Sequence, residues 1–271
     1  MQQVSHKVPM AQGGQGFWSP ISKRCLLRHT RRLRAASGDA QPPPSKEVYQ
    51  GSFGPWSIEE EDIKEVLGYR AGITVAAAAS IATAGAACFA PEGCQMQGLL
   101  DPMCVMGAGG LGVSLYLIHI YVAPLKKALQ AFWLAGTLGM LYIMATQDAP
   151  AALYLAQTPS AVWLVGPLFA SLTGMAFKEG LCYGKGEAAL LFGTVPLLSL
   201  GHLTQLMPRE GEQGLLATVL AIFAVFAARK YTQEIKDDIG DKSVFAFMAL
   251  PPDEQEAALQ KLKGNSTSAE Q

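Results

Sequence analysis

The sequence predicts an all-α fold: a polytopic helical membrane bundle of about six transmembrane helices, with short polar N- and C-terminal segments. Three observations predict it. Half of the 271 residues are hydrophobic and only 16% are charged. The charges sit in clusters between long apolar runs. Ala71 to Pro91 has no ionisable side chain except Cys88, Val105 to Pro124 has no Asp, Glu, Lys or Arg and one histidine, His119, and Ala128 to Gln147 carries no charge. Finally, the basic residues between these runs segregate by side. Runs of about 20 apolar residues match a hydrocarbon layer ~30 Å thick at about 1.5 Å of rise per residue. A soluble core helix does not stay uncharged on every face for that length.

The elements follow in chain order. Residues 1–38 contain Lys7, Lys23, Arg24, Arg28, Arg31, Arg32 and Arg34 and no acidic residue. They lack a long apolar stretch, so they do not form a secretory signal. Basic, acid-poor and partly Ser-rich, they read as an organelle transit peptide cleaved near 35–37, with a disordered basic tail as the alternative. Cleavage there leaves 14 basic against 22 acidic residues, a net charge of −8. Residues 39–56, with Gln41-Pro42-Pro43-Pro44, read as a solvated linker. Ser57-x-x-Glu60 is a capping box. Residues 57–69 then form either an amphipathic juxtamembrane helix or the solvated start of the first span.

Six spans are expected within the membrane domain 71–230, near 71–90, 104–124, 128–147, 160–177, 187–207 and 214–230. Arg70, Lys126, Lys127, Lys178, Lys185, Arg229 and Lys230 fall on one side, and Arg209 alone on the other, with Glu92, Asp101, Asp148, Glu210 and Glu212. The basic side is the one retained in the compartment of insertion. It holds both termini, as an even number of spans requires. Small residues recur at helical spacing: Gly72, Ala76, Ser80, Ala84 and Cys88; Ala131, Ala135 and Gly139; Gly166, Ala170 and Gly174. Such stripes let helix backbones approach closely. Pro124, Pro167 and Pro196 are expected to kink or end spans. Residues 231–271 form a polar helical tail, and Arg229 to Asp238 continue the last helix into solvent. Val244 to Leu250 rest on the membrane or the bundle, and a last short helix runs from Pro252 to near Gly264.

Residues able to carry chemistry are few. His119 and His202 lie within the expected spans, where an imidazole can ligate chlorophyll or haem. They sit near opposite faces, roughly 15 Å apart in depth, so they form separate sites rather than one bis-histidine site. A hydrogen bond to a neighbouring helix is the plainer role for each. Absence of a mid-span carboxylate argues against a proton or cation pump. Cys94 is placed to form a disulfide with Cys104 or Cys88 if that side is oxidising; packed thiols are the alternative. No cysteine spacing matches a metal site, and no catalytic constellation is evident. The segment "FKEGLCYGKGEAALL" (177–191) scans as a loose dinucleotide fingerprint. Such a fingerprint needs a strand before it and a βαβ unit around it, and here apolar spans flank it. It reads instead as a hairpin between spans four and five with a charged contact surface. Lys178, Glu179 and Glu187, with Arg70, form the candidate functional patch.

"VYQGSFGPWSIEEEDIKEVLGYRAG", "GPLFASLTGMAFKEGLCYGKGEAALL" and "PLLSLGHL" together resemble an integral-membrane family of cyanobacteria and plastids catalogued as a domain of unknown function (DUF2301-like). The resemblance spans about Val48 to Lys230. It implies a chloroplast membrane, thylakoid or inner envelope, with both termini stromal, and it carries no activity to transfer. The expected function is non-enzymatic: an assembly, maintenance or pigment-associated factor for a membrane complex. The alternative is a transporter or channel for a small or neutral solute. The expected partners are the lipid bilayer and a membrane complex or homo-oligomer, with no nucleic acid and no nucleotide.

Overall fold

A computed structural model describes residues 47–89 and 98–269, with the side chains of 89, 181, 182 and 261–269 outside that description. The segment read as a transit peptide lies outside the described residues. Among the described residues, six helices are long and apolar enough to cross a membrane. They are α1 (Glu60–Phe89), α2 (Leu100–Leu117), α3 (Ala123–Thr146), α5 (Val162–Tyr183), α6 (Gly186–Thr204) and α7 (Arg209–Arg229). A short α4 (Ala151–Gln157) and a 3-10 turn (Pro159–Ala161) precede α5, and α8 (Ile235–Ile239), α9 (Lys242–Met248) and α10 (Pro252–Ala269) follow α7. The spans close into a ring: α1 packs on α2, α2 on α3, α3 on α5, α5 on α6, α6 on α7, and α7 returns to α1.

Glycine decides how close the helices come. At Gly136 an added Cβ would strike the backbone of Leu168, and at Gly139 the carbonyl of Leu164, so α3 and α5 cross with their main chains in contact. Gly110 of α2 meets the carbonyl oxygen of Gly72 of α1 in the same way. Where lipid supplies no hydrophobic drive between helices, such contact lets dispersion act over the whole crossing. Trp133 fills the notch beside Gly112 and donates its Nε1–H to the carbonyl of Ala108 at 2.7 Å. The outward faces carry large apolar groups, Trp163, Leu138, Leu190 and Leu200 among them.

Several boundaries differ from expectation. The first helix is continuous over 30 residues, about 45 Å long, so it overshoots a ~30 Å hydrocarbon layer and carries Arg70 within its length. It starts at Glu60 because Ser57 is taken: Ser57 pairs with Val48 in an antiparallel hairpin of β1 (Val48–Gly51) and β2 (Gly54–Ser57). The cap moves two residues on, with Asp62 Oδ2 accepting the Glu59 N–H at 2.7 Å. The expected linker thus ends in a folded hairpin. A lone hairpin is marginal in water, and this one is clasped by α9. Ser52 N–H donates to Asp241 Oδ2 at 2.6 Å, Phe53 N–H to Ser243 Oγ at 3.0 Å, and the Phe53 ring stacks on Phe247 with centroids 3.9 Å apart. The second span ends at Leu117, short of the expected 124, and an extended break runs to Val122. Pro124 starts α3 rather than kinking α2, because proline suits the first turn of a helix. The last span stops at Arg229 and the chain turns back, so the expected extension to Asp238 in solvent does not form. Helix α10 continues past Gly264.

Candidate functional site

The turn between α5 and α6 is two residues long. Gly184 ends α5 at φ +66°, a conformation natural to glycine, and the Lys185 N–H bonds back to the Glu179 carbonyl. This reversal brings the last turn of α5 against the start of α6, where Gly180 touches the backbone of Ala189. Lys178 and Glu179 are thereby held at the polar end of the ring, beside α1 and the end of α7.

Glu179 is fully buried and collects three donors and one further nearby cation. Lys185 Nζ lies 2.6 Å and Lys230 Nζ 2.7 Å from its Oε2; the Tyr69 hydroxyl donates to Oε1 at 3.0 Å, and Lys178 Nζ stands 3.6 Å from the same oxygen. Asp238, on α8, is 1% exposed. Its Oδ2 receives Arg70 Nε and Nη2, each at 2.7 Å, its Oδ1 receives Lys230 Nζ at 2.7 Å, and its backbone carbonyl accepts Lys178 Nζ at 3.0 Å. Lys230 bridges the two carboxylates. Its ammonium also lies 5.0 Å from the Tyr69 ring centre, a cation–π contact that strengthens on desolvation. Four cations and two carboxylates from α1, α5, the α5–α6 turn, the end of α7 and α8 therefore form one enclosed network. Its fixed geometry is what makes burial tolerable, since isolated buried charges cost several kcal/mol each, roughly.

Of the expected patch, the structure brings Arg70, Lys178 and Glu179 into this network. Arg70 binds Asp238 and not Glu179. Glu187 pairs instead with Arg229, Oε2 to Nη1 at 2.6 Å, and its Oε1 is buried with no hydrogen-bond partner. Lys185, Lys230, Asp238 and Tyr69 are not among the expected site residues. The available signal was weak: Lys230 follows an apolar helix as any orientation-setting lysine does, and Asp238 lies in a charged tail.

The histidines are separate, and each has a protein partner. His119 lies in the extended break after α2, outside the spans, with Nε2 3.1 Å from Glu65 Oε2. It lines a groove of about 320 Å³ with Tyr116, Lys126, Gln130 and Phe245. Burial pushes its pKa below the ordinary histidine value, against the opposing pull of Glu65. His202, near the end of α6, engages both ring nitrogens, Nε2 with the Leu155 carbonyl at 2.8 Å and Nδ1 with Glu212. Ligation of chlorophyll or haem by His202 would require breaking one of these contacts. Cys88 and Cys104 are free thiols; Cys94 lies outside the described residues. Among the described residues no group of three His, Cys, Asp or Glu is placed to hold a metal ion.

Residues 113–247 match the model of a family described as "Uncharacterized integral membrane protein (DUF2301)". With six membrane-length helices, the chain is an integral membrane protein. The matched region runs from α2 to α9 and contains Lys178, Glu179, Lys185, Lys230 and Asp238; Tyr69 and Arg70 lie before it. No curated protein and no solved structure matches the chain.

Proposed function

We propose that this protein is a non-enzymatic factor of a plastid membrane, with both termini stromal, that assists assembly or maintenance of a membrane complex. One observation carries the reading. The buried network fastens the segment after α7 across the polar ends of α1, α5 and α7, and α9 in turn clasps the N-terminal hairpin. The result is a rigid polar platform on a lipid-embedded ring. A platform of this kind suits docking better than turnover, which needs titratable groups converging on an open pocket. The basic residues at this end, Lys126, Lys127 and Arg229 among them, support its placement on the stromal side.

The test is cross-linking and mass spectrometry of the protein gently solubilised from its native membrane, together with an absorption spectrum. Reproducible membrane-protein partners at stoichiometric level are expected. A free monomer without partners would overturn the proposal, as would saturable solute flux in vesicles reconstituted with the protein alone.

A further inference from the structure

Asp238 is bound as a ligand is bound. All three of its oxygens face cations, and those cations come from the frame of the ring: Arg70 from α1, Lys178 from α5 and Lys230 from the end of α7. The acceptor comes from elsewhere, a five-residue helix on a connecting strap. A guanidinium on one carboxylate oxygen, Oδ2, with an ammonium on the other, Oδ1, is a charge-assisted arrangement of the kind by which proteins hold oxyanions. The charge count agrees. Glu179 is already shared by Lys185, Lys230 and Tyr69. Without Asp238, Arg70, Lys178, Lys185 and Lys230 would face that one carboxylate, and none of these four side chains is more than 10% exposed. Asp238 lowers the enclosed surplus from three positive charges to two, and its loss favours another anion in the same place. The strap that supplies Asp238 turns through Gly240 at φ +80° directly after α8.

The geometry points to an oxyanion-binding site formed by Arg70, Lys178 and Lys230, which the chain fills with its own Asp238 and which a phosphate group, free or at the head of a lipid, takes when the strap lifts. Occupation by phosphate displaces α8 and frees the polar platform, so the site reads out an anionic ligand as a change in that surface. This goes beyond the docking role and does not depend on it.

The experiment is equilibrium dialysis of the full chain in an uncharged detergent with labelled inorganic phosphate at constant ionic strength. Asp238→Asn keeps the side-chain shape and removes the charge; Asp238→Ala empties the position. Both should bind phosphate at least about tenfold more tightly than the wild type, a difference of ~1.4 kcal/mol. Adding Arg70→Ala to Asp238→Asn should abolish the gain. Where Asp238→Ala is unstable, phosphate should raise its melting temperature saturably. In the wild type, high phosphate should speed trypsin cleavage at Lys236 and Lys242 on the strap. Displacement of phosphate by short-chain phosphatidate supports a headgroup, and lack of displacement a free solute, in the same site. Equal phosphate affinity in wild type and Asp238→Asn, retention of the gain after Arg70→Ala, or wild-type cleavage indifferent to phosphate would each overturn the proposal.

Discussion

Glu179→Gln removes one of the two negative charges from the enclosed network while keeping the side chain's size. Lys185 and Lys230 lose the carboxylate at 2.6 and 2.7 Å, and Asp238 is left as the sole counter-charge for four cations. Breaking a buried pair from one side costs about 3–5 kcal/mol, because the partner charge stays desolvated. For a chain of this size about 2–4 °C of melting temperature accompanies each kcal/mol, so a fall of roughly 6–20 °C is expected. Thermal unfolding followed by tryptophan fluorescence in a mild detergent measures it. Lys236→Ala, at an exposed pair with Glu234, is the control and should not move the transition. Lys185→Met should cost less in the Glu179→Gln background than alone, since the two share one bond. A shift of under about 2 °C for Glu179→Gln, or strict additivity with Lys185→Met, would refute the claim that this network holds the polar end together.

Other expectations rest on separate features. Gly136→Ala sets a Cβ against the Leu168 backbone, which cannot yield, and should cost about 1–3 kcal/mol, whereas Gly109→Ala, where a Cβ meets nothing within 4 Å, should not destabilise; melting temperatures compare them. His119 has a folded-state pKa below its ordinary 6.5. Its contribution to stability is therefore complete above that value and is lost as pH falls towards the depressed folded one, since the unfolded chain takes up the proton first. His119→Gln should flatten the stability profile on the acid side of pH 6.5, measured by unfolding across pH. Asp241→Ala removes the cap of α9 and the acceptor for Ser52 N–H; a loss of about 1 kcal/mol is expected, with faster amide exchange at Ser52 and Phe53 by mass spectrometry.

Much of the ring was legible because the bilayer imposes a simple rule, that a span excludes unpaired charge for about 20 residues. The small-residue ladders named Gly72 and Gly139, which do sit at backbone contacts. What the rule obscured is where charge is paired. By charge alone Arg70 marks the boundary of a span, yet it lies inside a continuous helix because Asp238, 168 residues away, neutralises it. The same long separation hid Lys230 and Asp238, which no local pattern links to Glu179. Ser57 was legible as a cap but pairs in a strand, since the hairpin's anchor on Asp241 and Ser243 is equally remote in sequence. Composition places His119 in a span, because an extended break of apolar residues has the composition of a helix.

The closure of the network by its last-made members has a consequence for how the protein is born. Synthesis proceeds at about 5–20 residues per second, so Arg70 emerges about 8–34 s before Asp238, 168 residues later. Glu179 is made before Lys185 and well before Lys230. Until the strap arrives, these charges must stay in water or in the insertion machinery, and the polar end cannot seal. The hairpin waits longer still for Asp241. The polar end is therefore completed from the C-terminal side, and a chain truncated after α7 would keep the six described spans but lack Asp238, which ties Arg70, Lys178 and Lys230 together.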